Sequence, residues 1–160
     1  MVRLVGSQRD REDVVLTRGE RVSLQEIIKQ IERETTAEIC VMLVKESQDP
    51  RVLAAEYFAH LGIGKKHLDN GVLILVVLAR RHIELLVGRG LAEALPRSFL
   101  ERVITEVLAP HFQANRFGAG LSFAVETIGE ALRIRLPERR LGEPGNIPDV
   151  VDLEGTDRPQ

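Results

Sequence analysis

GVLILVVLA, Gly71 to Ala79, is followed after only Arg80 and Arg81 by HIELLVG, His82 to Gly88. The first segment is apolar at every position after its glycine, so it reads as a central strand covered on both faces. The second alternates, Ile83, Leu85 and Val87 against His82, Glu84 and Leu86, and reads as a strand nearer an edge. Two runs so close together form a hairpin. Arg-Arg is a poor tight-turn pair, because a two-residue type I′ turn wants residues such as Asn-Gly, so a wider turn is expected.

Upstream, EICVMLVK, Glu38 to Lys45, reads as another buried strand. Between the two lies a helix that starts at Asp49-Pro50, with Asp as N-cap and Pro at the first helical position. Ala54, Tyr57, Phe58 and Leu61 form its expected buried face, and Gly62 its left-handed stop. A strand–helix–strand unit favours a parallel, right-handed crossover. Before Glu38, Leu24, Ile27, Ile28 and Ile31 make an amphipathic helical stripe ending near Thr35-Thr36. Thr17-x-x-Glu20 and Ser23-x-x-Glu26 are both capping-box patterns, so that helix begins at one of them. Downstream, Pro96 opens a helix with Phe99, Val103 and Val107 on one face, and Pro110 is expected to end or kink it. A last helix begins at Phe117-Gly118-Ala119-Gly120, buries Leu121, Ala124, Val125, Ile128 and Leu132, and stops at Pro137.

The expected fold class is α/β: a three-layer α/β/α sandwich with a small mixed sheet, a parallel crossover plus an antiparallel hairpin. Residues 14–137 form the domain. Residues 1–13 read as a mobile N-terminal arm, and 138–160, rich in Pro and Gly, as an extended or disordered tail. The chain of 160 residues is one domain's worth.

Twenty-two Lys and Arg against 24 Asp and Glu leave a net charge of −2, which argues against a general nucleic-acid binder. Cys40 is the single cysteine and cannot form an internal disulfide. The longest apolar run, Val72 to Ala79, is far short of the roughly 20 residues that span a bilayer. Met1 to Asp13 has no secretory apolar core. The expectation is a soluble, cytoplasmic chain with no transmembrane segment and no nucleic-acid partner.

The topology has a chemical consequence. Parallel strands begin at the same edge of the sheet, and the hairpin returns the chain to it. Glu38, then Asp69-Asn70-Gly71, then Gly88-Arg89-Gly90 therefore converge on one rim. Glu38, Asp69 and Asn70 are candidate metal ligands, because hard cations such as Ca²⁺ take side-chain and main-chain oxygens. Lys65, Lys66 and Arg89, beside the exposed backbone of Gly88 and Gly90, favour an anion instead. A solvated rim with a capped turn is the plain alternative.

No Cys-x5-Arg, Asp-x-Asp or multi-His metal motif is present, and no catalytic residue is assigned. Gly62-Ile63-Gly64-Lys65-Lys66 looks superficially like a phosphate loop, but Ala59 and Lys66 stand where that loop needs Gly and Ser or Thr. His60, His67, His82 and His111 share no metal-ligand spacing. Cys40, mid-strand, reads as core. Arg133, Arg135, Arg139 and Arg140 suit a helix C-terminus, or an acidic partner or lipid head groups.

AEICVMLV, YFAHLGIGKKHLDNGVLILVVLARRHIELLVGRGL and LPRSFLERVITEVLAPHFQANRFGAGLSFAVETIGEAL together resemble the TPM domain, from about Thr17 to Pro137. The markers are Gly62, Asp69-Asn70-Gly71-Val72-Leu73, Gly88-x-Gly90, and Phe112 through Gly120-Leu121. The resemblance implies an α/β/α sandwich. It also implies either an acid phosphatase or a protein that binds calcium at a loop cluster on the sheet rim. Arg89 and Ala92 stand where many members carry an acidic or Asn residue, and Arg97 roughly where a later Asp falls. These departures weaken calcium binding as an expectation, and phosphatase chemistry more. The expected function is an accessory or binding module, calcium-responsive at its rim, for a membrane-associated protein partner. A divalent-metal-dependent phosphatase and an anion-binding module are the alternatives.

Overall fold

The computed structural model describes residues 16–64 and 68–136, and the main chain of 2–5. The readings that fall on 65–67, on most of 1–15 and on 137–160, the tail among them, lie outside the described residues. The elements are β1 (Val2–Val5), α1 (Arg18–Glu34), β2 (Glu38–Val44), α2 (Pro50–His60), β3 (Gly71–Val77), β4 (His82–Val87), α3 (Arg97–Arg102), α4 (Ala109–Gln113) and α5 (Phe117–Arg135).

The sheet has the order β1-β2-β3-β4, with β1, β2 and β3 parallel and β4 antiparallel. Val2–Val5 correct the reading of 1–13 as a wholly mobile arm: these residues pair with Val41 to Val44. A strand edge presents unmade N–H and C=O groups, and a β-branched segment at the chain's start satisfies those of β2. The hairpin turn is indeed wider than two residues. β3 ends at Val77, not Ala79; Leu78–Arg80 make one 3₁₀ turn, and Arg81 closes it with φ +49°. The Arg81 guanidinium donates to Asn115 Oδ1 at 2.8 Å, tying the hairpin tip to the α4–α5 turn.

Side-chain alternation along the strands produces two cores. Ile39, Val41, Leu43, Val72, Ile74 and Val76 face α1, α5 and the chain between α3 and α4. Cys40, Met42, Val44, Leu73, Leu75 and Val77 face α2. The architecture is the three-layer sandwich expected. The two sides are unequal: on α2 only Ala54 is fully buried, and Tyr57, Phe58 and Leu61 are half-buried, because one short helix cannot seal its side of the sheet.

Thr17, not Ser23, caps α1. Its hydroxyl accepts from the Glu20 N–H at 3.1 Å, and the Glu20 carboxylate accepts from the Thr17 N–H at 3.0 Å. Asp49 caps α2 by accepting from the Val52 N–H at 3.2 Å. Pro110 does not end its helix. The chain from Arg97 to Gln113 widens into a π-helical turn at Val103–Leu108, where the Ala109 N–H donates to the Ile104 carbonyl. Proline lacks an N–H and its ring clashes with the carbonyl four residues back; an i→i−5 turn accommodates both. The helix stops past Gln113, and Asn115, five residues after Pro110, has φ +58°. There the Asn115 N–H donates to the Phe112 carbonyl and the Arg116 N–H to the His111 carbonyl, a Schellman stop with Asn in the left-handed position.

α1 and α5 run side by side in the same direction. Glu20 packs on Gly118, Ile31 on Gly129, and Arg133 donates to the Glu34 carboxylate. A Cβ at Gly129 would meet Ile31 Cδ1 at 2.4 Å, so glycine sets the closeness of the two helices. The Gln30 side-chain amide, then the Arg133 guanidinium, hold the Glu34 carboxyl below the usual carboxylate range. Its folded-state value is depressed, so the stability it contributes is present above the unfolded-state value. That stability is lost as pH falls through the folded-state value. The melting-temperature gap between the parent and Glu34→Gln is therefore expected to be widest near neutrality and to close in acid.

Candidate functional site

The three segments expected at one sheet rim do meet there. Parallel register sets Glu38 opposite Gly71, and the antiparallel hairpin sets Val87 opposite Val72. The Gly88 N–H donates to the Gly71 carbonyl at 2.8 Å, and the Glu38 N–H to the Asn70 carbonyl at 3.1 Å.

Asp69 organises the junction. It sits at φ +45°, a left-handed conformation that Asp tolerates better than most residues. Its Oδ2 accepts from the Arg89 N–H at 3.0 Å, and its carbonyl accepts from the Gly90 N–H at 2.9 Å. All three main-chain donors of Gly88-Arg89-Gly90 are thus engaged by acceptors within the protein. A nest of successive N–H groups favours negative charge. Here only the Arg89 N–H meets a carboxylate, that of Asp69, and the other two meet main-chain carbonyls. Arg89 is exposed; Lys65 and Lys66 lie outside the described residues.

Glu38 performs the same service one strand over. Its Oε2 accepts from the Gly64 N–H at 2.9 Å, pinning the loop that follows α2. Asn70 braces the junction from beneath: it is 2% exposed, and its side-chain nitrogen donates to the Thr36 carbonyl. The role of Thr36 as that acceptor has no signature in the sequence, since any residue offers a carbonyl.

The glycines are required by space. At Gly88 a Cβ would lie 2.0 Å from the Asp69 carbonyl oxygen, and at Gly90 1.8 Å from that of Leu68. At Gly64, whose φ is +86°, a Cβ would meet the Gly71 nitrogen at 2.5 Å. The Gly-x-Gly and Asp-Asn-Gly patterns are therefore two halves of one contact in which main chain lies on main chain.

Ca²⁺ takes six to eight oxygens. The rim offers hard carboxylate donors from Glu38 and Asp69, each with one oxygen engaged by a main-chain N–H. That donor chemistry suits a hard cation, with water completing the shell. Among the described residues no three His, Cys, Asp or Glu side chains gather into a metal-holding cluster. The described histidines lie elsewhere: His60 ends α2, His82 pairs with Glu84 at 2.6 Å on β4, and His111 Nδ1 lies 2.7 Å from the Val107 carbonyl. Cys40 is buried in the α2-side core, as expected. Of the arginines read as suited to a helix end, Arg133 is taken by Glu34, and Arg135 donates to the Glu93 carbonyl at 3.3 Å. No helix of the described residues is long and apolar enough to cross a membrane.

No curated protein matches this chain. Among solved structures, the BA42 protein of Bizionia argentinensis is 27% identical, with a TM-score of 0.72 over 81% of this chain and 89% of its own. The N-terminal domain of a protein from P. gingivalis superposes with a TM-score of 0.74 at 22% identity, covering 89% of this chain and 87% of that one. The N-terminal domain of the cg2496 protein of Corynebacterium glutamicum reaches 0.59 at 14% identity, covering 82% and 78%. The last two likenesses concern the fold alone. A family model, the TPM domain, matches residues 10–131, which include α1, the β2–β4 part of the sheet, the whole rim and most of α5. The chain belongs to the TPM domain family.

Proposed function

We propose that this TPM domain is a non-catalytic binding module that works through its three-loop rim, with Ca²⁺ as the ligand held at Glu38 and Asp69. The observation that carries the reading is the bracing of both carboxylates. Each accepts a main-chain N–H from a neighbouring loop, so its second oxygen is held in place before any ligand arrives. Preorganised oxygens lower the ordering cost of binding. The same bracing couples ligand to structure: a cation drawn to these oxygens tightens the loops after α2 and before α3, the surface a protein partner would meet. Arg89, exposed beside Asp69, opposes the cation and sets an affinity below that of a fully acidic rim.

Thermal unfolding across a Ca²⁺ titration, with Mg²⁺ as control, tests this. At about 100 times the dissociation constant, a ligand specific to the folded state adds roughly 2.7 kcal/mol. For a domain of this size that raises the midpoint by about 5–10 °C. The rise is expected with Ca²⁺, and is expected to vanish in Asp69→Asn, which keeps the shape and an acceptor for the Arg89 N–H. A flat titration, or an equal rise in Asp69→Asn, overturns the calcium reading. Hydrolysis of p-nitrophenyl phosphate that disappears in Asp69→Asn would overturn the non-catalytic one.

A further inference from the structure

We propose that Asn70-Gly71 is a deamidation site that the folded domain keeps inert, so that this covalent change is confined to chains that have lost the rim. The reaction needs three things. The residue after Asn must leave its nitrogen open to attack, the Asn side chain must turn its Cγ onto that nitrogen, and water must reach the pair. Gly71 meets the first, having no side chain to shield its nitrogen. In the unfolded chain the other two are met as well. The Gly71 nitrogen, losing its proton, forms a bond to Asn70 Cγ. The Cγ–Nδ2 bond breaks, and the side-chain nitrogen leaves as ammonia with that proton. The resulting succinimide adds one water and opens to aspartate or isoaspartate. No oxidant or cofactor is required.

The fold blocks the second and third conditions together. Asn70 is 2% exposed, and its side-chain nitrogen is held by the Thr36 carbonyl, 34 positions away in the chain. The Asn70 carbonyl is held by the Glu38 N–H, and Gly71 is paired with Glu38 at the start of β3. Gly71 is also packed on its far side, where a Cβ would lie 2.6 Å from the Ile63 carbonyl oxygen. Rotating the Asn70 side chain onto the Gly71 nitrogen therefore requires the β2–β3 junction to open.

The product is incompatible with the site that protected its precursor. Aspartate at position 70 replaces a donor with a carboxylate facing the Thr36 carbonyl, a buried charge facing an acceptor. Isoaspartate also inserts a methylene into the main chain where β3 pairs with β2, which shifts the register that places Gly71 opposite Glu38. Once modified, a chain is expected not to regain the native rim. A spell of unfolding is thereby recorded in the covalent structure.

The chain contains its own controls, Asn115 before Arg116 and Asn146 before Ile147, both followed by bulky side chains. Full-length protein is incubated at mildly alkaline pH with and without urea at unfolding concentration. Peptide mapping by mass spectrometry then follows each Asn. Asn70 is expected to deamidate fastest of the three in urea. In the native protein it is expected to react slower than in urea by roughly a hundredfold or more, since it can react only from opened states. The urea-aged fraction carrying the modification at position 70 is expected to stay unfolded on dilution, while unmodified protein refolds. A native rate within about twofold of the unfolded rate, no preference for Asn70 over Asn115 in urea, or normal refolding of the modified fraction would each overturn the proposal. The recombinant Asn70→Asp variant is expected to melt below the parent. If it does not fold at all, the rate comparison on the parent protein still decides.

Discussion

Gly88→Ala is expected to unfold at a lower urea concentration than the parent, with a loss of about 3 kcal/mol. The backbone of Gly88 is ordinary, with φ −67°, so a conformational penalty plays no part. The penalty comes from space. The new methyl would lie 2.0 Å from the Asp69 carbonyl oxygen and 2.6 Å from Asp69 Oδ1. Neither atom can step aside: the carbonyl accepts the Gly90 N–H, and the Asp69 side chain accepts the Arg89 N–H through its other oxygen. Relief therefore breaks the hydrogen bonds that join β3 to the chain after β4. Gly19→Ala is the matched control. Nothing lies within 4 Å of a Cβ built there, and it is helical, so the same substitution is expected to stabilise by about 0.5 kcal/mol. Urea titration of both variants reads the contrast. A Gly88→Ala midpoint equal to the parent's would show that the rim loops are not in main-chain contact.

Phe112→Ala is expected to cost about 3–5 kcal/mol, the range for truncating a fully buried aromatic. Phe112 is 1% exposed and lies against Phe117, ring centroids 4.8 Å apart. It stands where α4 turns into α5, and its carbonyl receives the Asn115 N–H that closes the Schellman stop. Its removal hollows the larger core where the helical hairpin reverses. Differential scanning calorimetry is expected to show a midpoint lower by roughly 10 °C or more. A loss under about 1 kcal/mol would mean that the hairpin collapses onto the vacated space, and that its apparent rigidity is not energetic.

The fold was largely legible because its signals are local. Thr17 and Glu20, Asp49 and Pro50, and Gly62 act within three or four positions of themselves, and hydrogen-bonding geometry of that range is written in residue order. The unbroken apolar run of β3 announces burial on both faces without reference to what covers it. Pro110 shows where local signals end. It is expected to end or kink its helix, and the packing of Val103, Leu108 and Phe112 into the larger core holds the helix together through a π turn. Val2–Val5 show the same limit, since four residues with no periodicity of their own become a strand only beside the edge of β2.

From its order alone, then, this chain determined a parallel crossover, a hairpin and the rim on which Glu38, Asp69 and Gly88 must converge, because strand direction follows from connectivity. What those residues do on arrival was left to tertiary structure. Asp69 reaches Arg89 across 20 positions, Glu38 reaches Gly64 across 26, and Asn70 reaches Thr36 across 34. Whether a carboxylate faces solvent, a cation or a neighbouring N–H depends on ångström-scale placement of distant loops. That placement is set by packing, here by glycines that let one main chain rest on another.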